Sequence, residues 1–512
     1  YYIAFVMACV LMHVSCSDNL NTNPTDQISG NVLFKDVEGG MVAMNGVYRL
    51  MYSTGWAGDN STHAFGYMST MLVSDFMGDD MVLSSTVKGW FSMDYNLQER
   101  NFYSSPLFRS YSEWNFYYTL ISNLNYILAH EDNLNGLPAQ KDNLFGQAYS
   151  LRALCYFHLI QLYQQTYIGH EQAPGVPLYI TPTTSSTPGN PRGTVEEVYA
   201  RINKDIERGI SLLKDAEEQG VTQIHKSHID YYVANGIKSR IALVQNRWKD
   251  ALDAAQIALE KPDLKLAGTS DLTKGFNQLG MVSVLWGAEI QKSDQIGAYA
   301  SFFGHMDATA GMHGSYDRKC ISAWLYKQMG LQDIRRISWW KGEIATALEA
   351  SFGPQKSYCT TKFTFSDVTS YLGDNIYMRA EELLLTEAEA LCRLERYGEA
   401  RTLMETFGTI RERSYVRNRL DKVSDSKEMS VDVYGTGTSP EIKTLLDEIL
   451  LQRRIELWGE TGRLFDVLRL RVGYYRDYEG SNHVVKLSDE TRQPDYKGCL
   501  LYTSPSPRDK RQ

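Results

Sequence analysis

Beyond its first sixteen residues the chain has no apolar run long enough to cross a membrane, since a spanning helix needs about 20 such residues. An excess of positive charge is also missing: the net charge is −9, which argues against nucleic-acid binding as its main role. There is no CxxC pair. Cys155, Cys320, Cys359 and Cys392 are spaced too widely to read as a zinc site or a disulfide framework, and Cys155 and Cys392 fit helical core positions. The acidic stretch DFMGDD at 75–80 lacks the alternating ligands and closing Glu of a calcium loop. His225 and His228 form an HxxH without a nearby third ligand, so a solvated or capping role is expected. Cys155 and His158 read as packing and hydrogen-bonding residues. Neither a cofactor nor a metal is expected.

What is present is globular. Of 512 residues 43% are hydrophobic and 22% charged, enough for a sizeable core in one large domain or two to three average ones. Aromatics reach 12%, with 33 Tyr and 9 Trp, more than packing alone usually demands. Helical periodicity dominates. Ala148, Leu151, Cys155, Leu159 and Leu162 recur at steps of three and four, and Thr194 stands where it would cap a helix opening with Glu196 and Glu197. Further helices are expected near 228–245, 248–260, 377–394, 396–408 and 441–458, and a short strand at KFTF, 362–365. RWKDALDAAQIAL at 247–259 and RYGEARTLMETF at 396–407 share Arg, an aromatic, an acid and Ala in the same order, as in TPR-like helix pairs. Segments 53–105, 169–193, 262–345 and 412–440 are irregular, and their aromatic content points to function, not disorder.

The two ends differ in character from the rest. YYIAFVMACVLMHVS is uncharged, too short to span, and stops at Cys16 before polar Ser17, Asp18 and Asn19. It is similar to the lipobox of bacterial lipoproteins, with His13 where Leu is usual; residues 1–15 are expected to be a truncated signal peptide and Cys16 the acylated residue. Residues 499–512, CLLYTSPSPRDKRQ, resemble translated adapter sequence and are expected to be non-native.

Seven segments in order resemble the SusD/RagB family of outer-membrane lipoproteins. They are FKDVEGGMVAMNGVYRLM (34–51), WNFYYTLISNLNYIL (114–128), GQAYSLRALCYFHLIQLYQQTY (146–167), GVPLYI (175–180), TVEEVYARINKDIERGISLL (194–213), RAEELLLTEAEALCR (379–393) and ILLQRRIELWGETGRLFDVLRL (449–470), with Gln452 where Glu is common. The resemblance implies a mostly α, SusD-like helical fold over 16–498, with TPR-like pairs mainly at 114–260 and 375–470 and a loop-rich ligand-binding lobe at 53–105 and 262–345. It implies a non-enzymatic, surface-exposed protein held to the outer membrane by its lipid. Such a protein binds glycan, or peptide in the RagB branch, and delivers it to a SusC-like TonB-dependent barrel. A helical glycoside hydrolase, with two carboxylates about 5–10 Å apart, is the competing class. Arg152, Glu381, Glu389, Arg453, Arg454, Glu456, Arg463 and Asp466 lie on or beside apolar stripes and are expected to sit in Arg–carboxylate pairs that set helix registers.

Sugar rings stack their C–H faces on aromatics, while placed polar groups meet the hydroxyls. Aromatics on loops are therefore the candidates. Trp90, Trp286, Tyr299 and Phe303 are expected as platforms, and Asp79, Asn96 and His305 as hydroxyl partners; Trp324, Trp339 and Trp340 read as scaffold.

Overall fold

In a computed structural model the chain is described over residues 33–57, 62–84, 90–97, 109–184, 186–222, 225–294, 299–341, 358–430, 433–434 and 442–484. Cys16 and the tail at 499–512 lie outside the described residues. Within them are seventeen α-helices and only short strands, a mostly helical fold.

The principal helices are α1 (Val37–Leu50), α2 (Tyr67–Met77), α3 (Arg109–Leu128), α4 (Pro138–Tyr163), α5 (Val195–Glu218), α6 (Tyr231–Val244), α7 (Trp248–Leu259), α8 (Ala380–Arg393), α9 (Tyr397–Arg411), α10 (Leu445–Glu456) and α11 (Arg463–Leu470). Local chemistry sets their ends. Pro138 opens α4 at a position where its missing N–H costs nothing. Thr194 caps α5 in a full capping box, its hydroxyl accepting from the Glu197 N–H while the Glu197 carboxylate accepts from the Thr194 N–H. Helices α4 and α5 approach through glycine: a Cβ on Gly209 would stand 2.9 Å from the Gly146 carbonyl oxygen, so neither position tolerates a side chain.

The two similar sequence segments fold alike. Helices α6 and α7 are joined through Asn246, and α8 and α9 through Glu395, each in the left-handed region (φ 54° and 62°). In both turns the next residue is an Arg whose backbone N–H closes the bend at 2.9 Å, Arg247 onto Ala242 O and Arg396 onto Leu391 O. Ala251 and Ala400 follow four residues later and are fully buried, which lets each second helix lie close.

The charged residues on the apolar stripes are buried and paired. Arg152 makes a bidentate contact with Asp205, 2.8 Å at each nitrogen, and donates to Asn125 Oδ1. Arg469 does the same with Glu389, at 2.7 and 2.8 Å. Glu456 receives Arg335, Arg379 and Arg411 together. Burial alone would raise its carboxyl, but the three guanidiniums hold it well below the usual range.

Strands are short. β1 (Met81–Leu83), β2 (Pro174–Pro177), β3 (Arg192–Thr194), β4 (Val284–Ala288), β5 (Lys319–Ile321), β6 (Trp340–Lys341), β7 (Cys359–Thr360) and β8 (Asn375–Arg379) form a four-stranded sheet in the order β1-β5-β7-β6 and the antiparallel pairs β2-β3 and β4-β8. Residues 362–365 are not a strand: Lys362 turns inward to donate to the carbonyls of Glu456 and Trp458. The His158 ring, expected to hydrogen-bond, packs instead among Tyr67, Tyr117 and Phe465, and burial lowers its pKa to about 3.

Candidate functional site

Four of the seven expected contact residues are interior. Trp286 lies in β4, 0% exposed, its indole N–H donating to Ser227 O at 3.2 Å and its ring against Tyr377. The strand pairing of β4 with β8 turns what reads as a loop aromatic into core. Phe303 is buried among Phe302 and Phe365. His305 is 0% exposed, stacked on Phe65, with Nε2 at 2.8 Å from Thr62 O. Asp79 is buried and held by Arg454 and Arg463, at 2.9 and 2.8 Å. Asp80 shares Arg454, so the acidic stretch is a structural clamp; no metal-holding group of three ligands occurs among the described residues. His225 faces Glu289, and His228 meets Asn45.

The remaining aromatics, Trp90 and Tyr299, are brought to one surface by a residue that the sequence reading did not single out. His313 lies between them, its ring centroid 3.6 Å from that of Trp90 and 5.0 Å from that of Tyr299. Tyr299 is 51% exposed and Trp90 partly so. Each is positioned by a buried neighbour. Phe91, in the left-handed region, inserts beside Phe76 and His305 and leaves Trp90 at the surface. Ser301 caps the short helix Phe302–Met306, whose two Phe rings anchor the segment carrying Tyr299. His313 opens a short helix, His313–Tyr316, and Gly314 behind it must lack a side chain: a Cβ there would stand 2.5 Å from Asp307 O. Asp307 ties this loop, accepting from Thr309 and from the Phe365 N–H.

The array is uncharged at neutral pH. Burial, then nearby Lys319, lowers the His313 imidazole to about 4, and burial with Arg109 brings His63 to about 4. Asn96 ends the short helix Ser92–Tyr95, and its side-chain oxygen meets no donor among the described residues. The chemistry on offer is stacking against a neutral aromatic face.

A second aromatic cleft lies on the helical half. Trp114, Tyr118 and Ile121 of α3 with Tyr179 form its floor, and Ser122, Thr183, Thr184 and Thr187 its rim, around about 210 Å³. Trp114 and Tyr118 sit on a helical stripe, which is why a search of loops passes over them.

Comparison with known proteins agrees with the architecture. Residues 54–243 match the family model described as starch-binding and associating with the outer membrane, and residues 344–505 match the SusD family model; together these span more than half of the chain. The chain belongs to the SusD/RagB family. Its fold is that of a SusD-like carbohydrate-binding protein from Bacteroides vulgatus, at TM-score 0.74 and 24% identity over 93% of this chain and 97% of that one. Surface glycan-binding protein A from Bacteroides thetaiotaomicron matches at TM-score 0.64 and 17% identity, over 93% and 97%. A laminarin-binding SusD-like protein matches at 0.59 and 19%, over 85% and 92%. No curated protein matches this sequence. No helix among the described residues is long and apolar enough to cross a membrane.

Proposed function

We propose that this SusD/RagB protein binds an oligo- or polysaccharide at the cell surface and delivers it to a SusC-like TonB-dependent barrel. The observation that carries the reading is the Trp90–His313–Tyr299 array. A neutral aromatic face suits the weakly polar C–H faces of a pyranose ring and offers little to the charged and amide groups of a peptide. Glycan-binding proteins of the same fold support the assignment, and the outer-membrane description of the family supports the location, with Cys16 as the proposed lipid anchor.

Binding of this kind is weak and quickly reversed, which suits capture followed by hand-over. The role proposed is binding without turnover. Affinity electrophoresis against a panel of polysaccharides tests it: the chain is retarded by at least one glycan, and the double variant Trp90→Ala, Tyr299→Ala runs unretarded. A double variant retarded like the parent overturns the site, and release of reducing ends by the purified protein overturns the non-enzymatic role. Co-purification with a TonB-dependent barrel tests delivery.

A further inference from the structure

The sheet beneath the aromatic array holds a pair of cysteines in register. Cys320 in β5 and Cys359 in β7 are directly opposite, 39 residues apart in sequence, and their sulfurs are 3.3 Å apart. The ladder bond beside them runs from Ile321 N–H to Tyr358 O, so residues 321 and 358 form the hydrogen-bonded pair and Cys320 and Cys359 the non-hydrogen-bonded one. In such a pair the Cα atoms approach to about 4.5 Å, within the range that a disulfide spans. Both side chains point to the same side, where they form a small buried cluster with Val82 of β1.

We propose that Cys320 and Cys359 are joined by a disulfide in the exported protein. This rests on the reading of the chain as a surface protein of the outer membrane, because a cytosolic chain would be kept reduced. The reaction is thiol–disulfide exchange with a protein disulfide oxidant of the exporting compartment. One thiolate attacks a sulfur of the oxidant's disulfide and displaces its other sulfur as thiolate. The second cysteine then attacks the mixed disulfide, closing the Cys320–Cys359 bond. Two protons and two electrons leave this chain, and the oxidant departs as a dithiol. Both side chains are buried in the finished fold, and burial pushes the Cys320 thiol up, so exchange takes place while the sheet is still open.

The bond would brace the site already described. β1 ends seven residues before Trp90, and β5 begins three residues after the helix that carries His313. Both strands belong to the sheet whose middle the disulfide would cross-link.

Peptide mapping tests the proposal on the full chain recovered from the outer membrane of its producing cells. The protein is denatured without reductant, alkylated with iodoacetamide and digested. The expected result is one cross-linked peptide pair containing Cys320 and Cys359, two hydrogens lighter than its separate parts, with Cys155 and Cys392 alkylated as internal controls. Alkylation of Cys320 and Cys359 in the parent protein overturns it. The Cys320→Ser variant is expected to free Cys359 for labelling; Cys359 still protected in that variant shows a different partner and overturns the pairing. Protease shaving of whole cells reads the location separately: a chain shaved from the surface with both thiols alkylated overturns the disulfide and leaves the surface reading standing.

Discussion

Arg411 Nη2 and Glu456 Oε1 meet at 2.9 Å with both side chains fully buried, and the same carboxylate also receives Arg335 and Arg379. This acid thus joins three guanidiniums from three segments of the chain, which also pair with Asp333, Glu381 and Glu460. Removing it leaves this buried network one negative charge short, which costs far more than an exposed pair is worth. Glu456→Gln is expected to lower the unfolding free energy by about 3–5 kcal/mol, read as a fall in the urea midpoint. The sign with pH follows from the depressed carboxyl: its stabilisation is present above its ordinary value of 4.5 and is lost as pH falls.

Trp286 and Tyr299 separate core from surface. Trp286→Ala should destabilise the fold by about 3–5 kcal/mol, as loss of a buried indole does. Tyr299→Ala should leave stability within about 0.5 kcal/mol of the parent and weaken glycan binding about tenfold. Thermal unfolding and affinity electrophoresis on the two variants check this; a Trp286 variant of parental stability would contradict the burial described.

Glycan affinity should be flat from neutral pH down to about 5 and fall as pH approaches the His313 value of about 4. Above that value the imidazole is neutral and the array keeps its apolar face. Stability moves the same way: the unfolded imidazole takes its proton near 6.5, the folded one only near 4, so this contribution is complete above 6.5 and is lost on acidification through that window. Affinity titrating with a midpoint near 6.5 would show His313 to be solvated.

Asp75 behaves oppositely. Burial raises its carboxyl to about 8, although the Arg463 N–H donates to it at 2.7 Å. The folded chain keeps a proton that the unfolded chain releases above 3.8, so this group makes stability fall as pH rises from there to about 8. Asp75→Asn keeps an acceptor for Arg463 and removes the titration. Its stability relative to the parent should increase across that window, by up to about 1.4 kcal/mol per pH unit; denaturation at pH 5, 7 and 9 measures it.

Helices and sheet were unequally legible in the sequence. The periodicity around Leu151–Leu162, the cap at Thr194 and the paired Arg-aromatic turns report local interactions, and the helices stand where those signals put them. The pairing of charges at Arg152, Glu456 and Arg463 was legible as a need for partners; which partners was not, since Asp205 and Asp79 come from distant segments. Burial of the loop aromatics was not legible at all. Trp286 is interior because β4 pairs with a strand about ninety residues away, which no local pattern around LWGA encodes. His313 was missed for the converse reason: a histidine in the run Gly311-Met312-His313-Gly314 has no periodicity, and only the fold sets it between Trp90 and Tyr299.

The sheet β1-β5-β7-β6 also sets a timetable. Its first two strands are separated by more than two hundred residues, whereas the hairpins α6–α7 and α8–α9 close over single turns. Contacts between distant segments form late, because long loops must close before the pairing rewards them. The helical scaffold is thus expected to assemble first and the aromatic face last, so the chain would acquire the proposed binding surface only when folding is nearly complete.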